Sequence, residues 1–155
     1  MRGAAAVVAL AITAGCSPSD SDYAGAIERN WPAEQQAQLG RAAFLANHAR
    51  SFERSAERSA DIARRLGTDN ELSDGARRTA DNARAEQEEA EYIANAEFVS
   101  ARDISCAPAS PLPGQNCEVT ITIRGKDGEE HDLPAAYRFD ELDGRIEIVE
   151  AMSAG

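Results

Sequence analysis

The chain is predicted to adopt an α+β fold, an antiparallel helical hairpin followed by a small antiparallel sheet of about four strands. Three observations carry this. Residues 33–96 are rich in Ala, Arg, Glu and Gln, hold no proline, and repeat small or apolar residues at helical spacing. The character changes at Glu97, after which β-branched and aromatic residues alternate with polar ones. The second region is punctuated by turn sequences, "GKDG" and Asp143-Gly144, at hairpin-like intervals.

The first helix is placed at residues 33–66. Pro32 suits its opening position, where a missing N–H costs nothing. Residues 22–30 before it read as no more than a brief helical turn. Leu45, Ala49, Phe52, Ala56, Ser59, Ala63 and Leu66 follow a 4-3-4-3 spacing that defines one face. Gly67 supplies a left-handed stop, and Gly40 is a point where the helix would bend. At 1.5 Å per residue its length is roughly 50 Å. "GTDNELSDG" is a turn, with Ser73 or Asp74 capping a second helix that runs to Ala96. Ala76, Ala80, Ala83, Gln87, Ala90 and Ala94 share its inner face. Alanine lets two helices approach closely but buries little area, so the hairpin draws part of its stability from elsewhere.

The strands follow in order. The first runs from Phe98 to Ser105. "CAPASPLPGQNC" is a proline-rich loop bounded by Cys106 and Cys117. "EVTITIR" alternates strictly, with Val119, Ile121 and Ile123 on one side. The third strand lies within residues 129–140, with Leu133, Tyr137 and Phe139 facing one way. Pro134 denies a ladder bond there and indicates a bulge or an edge. Residues 145–150 close the sheet, with Ile146 and Ile148 inward. One apolar face then needs cover, and the helices are the segments available to supply it.

The amino terminus has the three parts of an export signal. Arg2 is basic, residues 3–14 are small and apolar, and Ala14-Gly15 precede Cys16. The apolar run is about a dozen residues, short of the roughly twenty a spanning helix requires. Ile12-Thr13-Ala14-Gly15-Cys16 resembles the lipobox of bacterial lipoproteins, with Thr13 where that pattern usually has Leu. The resemblance implies cleavage before Cys16, acyl chains on its sulfur and new amino terminus, and a cell-envelope location facing the periplasm. Ser17 after the cysteine implies sorting to the outer membrane. On this reading residues 1–15 are a signal peptide, 16–31 a lipidated tether held to the body by Trp31, 32–96 the helical hairpin and 97–151 the sheet region. With Cys16 acylated, Cys106 and Cys117 remain as a pair, and an oxidising periplasm lets them bond. A metal site is the rival reading of that pair, but two thiols need further ligands, and His48 and His131 lie far from them in sequence. The disulfide closes a loop of about twelve residues and contributes roughly 3 kcal/mol.

Charge narrows the partners. The whole chain has 16 basic and 27 acidic residues, a net of −11. Loss of Arg2 with the signal makes that −12. Such a surface repels phosphate backbones, so no nucleic-acid partner is expected. No catalytic residue, cofactor or metal site is assigned. "EQEEAE" is a solvated helix face, and "DNELSDG" lacks the glycine and glutamate of a calcium loop. His48 and His131 read as partly exposed side chains. Arg64, Arg65, Arg77 and Arg78 are brought together at the hairpin tip. They read either as a contact for an anionic partner or as local ion pairs with Asp61, Asp69, Glu71 and Asp74 that also complement the helix dipole. Phe98, Ile121, Ile123, Tyr137 and Phe139 form the inner face of the sheet, which is either core or the wall of a small apolar pocket.

The expected function is that of a non-enzymatic envelope lipoprotein, held to a membrane by its lipid and presenting a structural or protein-binding body to an envelope protein or peptidoglycan. The alternative is a small-ligand-binding domain. A helix followed by a meander with a strand-end disulfide is similar, in element order over residues 76–150, to cystatin-like and nuclear-transport-factor-like small secreted domains. An enzyme using a carboxylate pair ranks last.

Overall fold

The computed structural model describes residues 18–68 and 71–152. Two helices, α1 (Asp20–Leu66) and α2 (Glu71–Asn95), precede four strands, β1 (Glu97–Pro108), β2 (Gln115–Arg124), β3 (Glu130–Leu142) and β4 (Arg145–Met152). The strands pair in the order β1-β2-β3-β4, each antiparallel to the next. The α+β architecture, helices first, is as the sequence predicts.

The main difference lies at the start of α1. The sequence places residues 16–31 in a tether and opens the long helix at Pro32. In the structure α1 begins at Asp20 and passes through Pro32 without interruption, a helix of 47 residues. The Asp22 carboxylate accepts the Ser19 backbone N–H at 2.8 Å and so satisfies one donor at the helix start. Tyr23, Ile27 and Trp31, one helical turn apart, are all buried. They pack on the apolar face of the sheet, where the Tyr23 ring meets Phe139 edge-on at 5.0 Å and Trp31 lies 6.0 Å from Phe98. Burying side chains of this size contributes about 1.5–3 kcal/mol each, against about 3 kcal/mol for a proline inside a helix. Three such anchors outweigh the one lost hydrogen bond. Gly40 also lies within the continuous helix.

The other boundaries hold to within a few residues. Gly67 ends α1 at φ 64°, its N–H reaching back to the Ala63 carbonyl. Ser73 and Asp74 fall inside α2 rather than capping it, because α2 already includes Glu71. The seam between the helices is small-sided: Leu45, Ala49, Ala56 and Ala63 of α1 and Ser73, Ala80, Ala83, Ala90 and Ala94 of α2 are buried. Leu66, expected on that seam, is 69% exposed. A straight helix drifts about 20° per heptad against a 4-3 repeat, so three heptads beyond Leu45 the position has turned away from the partner.

The sheet is a meander with local irregularities. β1 carries bulges between Phe98 and Ser100 and between Arg102 and Ser105, the second holding Asp103 at φ 55°. Asp143 and Gly144 both have positive φ, as a two-residue hairpin joining twisted strands requires. Pro134 pairs with Thr120 in the part of β3 that precedes Ala136, where β3 has no β4 partner among the described residues. It therefore sits on an edge, as its missing donor demands. One core unites the elements: Tyr23, Ala26, Ile27 and Trp31 of α1, Ala96, and Cys117, Val119, Ile121, Ile123, Tyr137 and Phe139 of the sheet, with Tyr92 and Ile93 of α2 packed against it. Beyond this core the helices continue as a two-helix arm.

Candidate functional site

Cys16 and the lipobox-like residues around it lie outside the described residues. The first described residue is Pro18, and α1 opens two positions later. Any attachment at Cys16 is therefore separated from the folded body by only Ser17, Pro18 and Ser19. A cleft of about 320 Å3 lies at this end, bordered by Asp22, Arg29, Glu141 and Arg145. Arg29 closes one side by donating to the Ile146 carbonyl at 2.8 Å. Hydrogen bonds from the Ser19 side chain and backbone hold the Asp22 carboxyl below its usual range.

Cys106 and Cys117 are joined, with Cα atoms 4.1 Å apart. They face each other directly in the β1–β2 ladder. Cys117 is buried in the core while Cys106 is exposed. The bond links the two strands at the mouth of the proline-rich loop. Gly114 completes that loop at φ 91°, where a Cβ would overlap the Phe139 carbonyl oxygen.

The four tip arginines are exposed and largely engaged locally. Asp61 accepts from Arg65 at 2.7 Å and from Arg64 at 3.5 Å, and Arg77 lies 4.0 Å from Asp74. Arg78 has no carboxylate partner among the described residues, and Asp69 lies outside them. Exposed pairs of this kind contribute little stability.

The inner face of the sheet is core. Phe139, Ile121 and Ile123 are almost wholly buried, and Tyr23 and Trp31 occupy the space that a pocket would need. Burial pushes the Tyr137 phenol up to about 12, with the Glu34 charge adding to the effect. What remains open is a groove of about 240 Å3 at the rim, between the sheet edge at Leu133 and Pro134 and the helices at Glu34, Gln38, Glu89 and Ile93.

Each histidine packs against aromatic rings. His131 meets Tyr92 edge-on at 5.3 Å, and His48 lies between Phe44 at 5.7 Å and Phe52 at 4.8 Å. Among the described residues no three His, Cys, Asp or Glu side chains cluster as metal ligands would. No described helix is long and apolar enough to cross a membrane.

Two features were missed in the sequence. The first is the core role of Tyr23 and Ile27, signalled by their 4-residue spacing to Trp31. The second is an uncovered stripe on α1 made of Phe44, His48, Ile62 and Leu66, with Phe52 half-buried along it. Phe44 is 65% and Ile62 56% exposed. Comparison with known proteins gives no match to a family model, a curated protein or a solved structure.

Proposed function

We propose that this chain is a membrane-anchored envelope lipoprotein, fastened through Cys16 and serving a structural or protein-interaction role on the periplasmic side. The observation that carries this reading is the Ile12–Cys16 segment, with its short apolar run ending in small residues and cysteine. A single acyl chain binds a bilayer only marginally, and two or three make the attachment durable. The short spacer before Asp20 supports a body held close to the lipid surface. The long arm of α1 and α2, which has little to do with covering the sheet, supports a contact role for an envelope protein or peptidoglycan.

Mass spectrometry of the amino-terminal peptide from the purified protein tests the anchor. The expected species begins at Cys16 and carries the added mass of a diacylglycerol and an acyl chain. Cys16→Ser should move the protein from the membrane fraction to the soluble one. An unmodified Cys16, or a variant that stays with the membrane, overturns the proposal.

A further inference from the structure

The face of α1 that the sheet covers at one end runs on uncovered to the other. Steps of four and three lead from Tyr23, Ile27 and Trp31 through Glu34, Ala37 and Arg41 to Phe44 and His48, and onward by Phe52, Ser55, Ser59 and Ile62 to Leu66. The first part packs on the sheet. The later part carries large exposed apolar side chains, and Leu72 of α2, 83% exposed, lies beside its end at the hairpin turn. The Arg41–Glu86 ion pair at 3.3 Å spans the two helices on this flank.

The stripe is complementary to itself when reversed. Centred between Ser51 and Phe52, its large residues fall opposite small or slender ones: Phe44 opposite Ser59, His48 opposite Ser55, Leu66 opposite Ala37, and Ile62 opposite the aliphatic stem of Arg41. The same reversal brings Arg64, Arg65, Arg77 and Arg78 at the tip, three of them beside Asp61 or Asp74, towards Glu34, Glu88 and Glu89 at the base of the arm. From Ala37 to Leu66 the stripe is roughly 44 Å long. The arm that carries it is two helices, about 18 Å, wide, so one arm laid along another would bury on the order of 800 Å2 per copy, the usual size of a stable interface.

We propose that this stripe is the contact surface of an antiparallel homodimer, in which two arms lie face to face with their tips at opposite ends. Each tip then reaches the rim groove at Gln38, Glu89 and Leu133 of the other copy, and Leu66 and Leu72 are covered there. The position of the sheet selects this orientation. Tyr23 and Ile27, on the line of the stripe, pack on the sheet, so a parallel pair would drive two sheets into one another, whereas a reversed pair sets each tip against the rim of the other's sheet. The contact is isologous, as a two-fold dimer requires. It does not depend on the lipid anchor, and the two proposals fail separately.

Engineered cysteines in the full chain test it. Ser51→Cys lies at the proposed axis and Arg64→Cys at the tip. Cells producing either variant are treated with a mild oxidant, with the parent chain as the baseline, and non-reducing gels are read for a band of twice the mass. Ser51→Cys should give that band and Arg64→Cys should not. Adding Phe44→Glu, at an exposed helical position, should reduce the Ser51→Cys band at least tenfold with the circular dichroism unchanged. Absence of the band from Ser51→Cys overturns the proposal, as do equal bands from both positions or indifference to Phe44→Glu. Vesicle binding by the Cys16→Ser chain that is lost on adding Phe44→Glu, without any crosslink from Ser51→Cys, would overturn it and assign the stripe to a bilayer instead.

Discussion

The indole Nε1 of Trp31 donates to the backbone carbonyl of Ala96 at 3.2 Å, across 65 positions of sequence. Ala96 is the one residue between α2 and β1, so this bond fixes the place where the chain changes from helix to strand. Gln35 Nε2 donates to the same oxygen at 2.9 Å. Two side chains of α1 thus hold the only covalent exit from the arm to the sheet.

Trp31→Ala should cost about 3–5 kcal/mol, the usual range for emptying a large aromatic site. Trp31→Phe keeps most of the buried area and leaves the Ala96 carbonyl with Gln35, so its cost should be smaller, about 1–2 kcal/mol. Urea unfolding followed by circular dichroism measures both. Equal losses would show that the indole N–H, rather than the buried ring, carries the stabilisation.

Pro32 is exposed and inside α1. Its ring removes the hydrogen bond that the Glu28 carbonyl would otherwise receive. Pro32→Ala loses no buried surface and restores that bond, so stability should rise by about 1–3 kcal/mol. A thermal melt that does not move upward would contradict the account of α1 as a helix formed against its proline.

The Cys106–Cys117 bond closes a loop 11 positions long. Reduction under native conditions, or the pair of substitutions Cys106→Ser and Cys117→Ala, should lower unfolding stability by about 2–3 kcal/mol. The urea midpoint should shift without loss of the helical signal, because the bond constrains the sheet. A change below about 0.5 kcal/mol would mean that the loop is equally restricted in the reduced unfolded chain.

Tyr137 gives an alkaline signature. Its phenol ionises near 10 when exposed and near 12 in the fold. The folded state therefore holds a proton that the unfolded state has lost between those values. Stability is unaffected by this group below pH 10 and falls between pH 10 and 12, at up to about 1.4 kcal/mol per pH unit. Tyr23, raised by its own burial, acts in the same direction. Urea unfolding across this range should show the decline, and Tyr137→Phe should make it shallower.

Much of the fold was legible because its determinants are local. Val119, Ile121 and Ile123 alternate without a break, Asp143-Gly144 accepts the positive φ of its turn, and two cysteines bracket one loop. The alanine seam was legible for the same reason. What escaped depends on distant contacts. Pro32 carries a strong local signal for a helix start, and only the sheet, seventy residues away, makes a helix through it worthwhile. Asp103 accepts its left-handed conformation because β2 fixes the register on both sides. The inner face of the sheet was legible as apolar, but whether it lined a pocket depended on Tyr23 and Trp31 arriving from the other end of the chain. The engagement of the tip arginines by Asp61 and Asp74 rests on rotamers that spacing does not specify. The uncovered stripe from Phe44 to Leu66 was divided in the sequence reading, because Phe52 and Leu66 were assigned to the seam. The drift of a 3.6-residue period against a 3.5-residue repeat separates the two faces.

Because α1 is at once the cover of the sheet and one rail of the arm, the molecule has no joint at Pro32. A load applied at Leu66 is carried along one continuous helix of roughly 65 Å to Tyr23, where the ring of Phe139 takes it up. Tip and sheet must tilt together, as the two ends of a lever do.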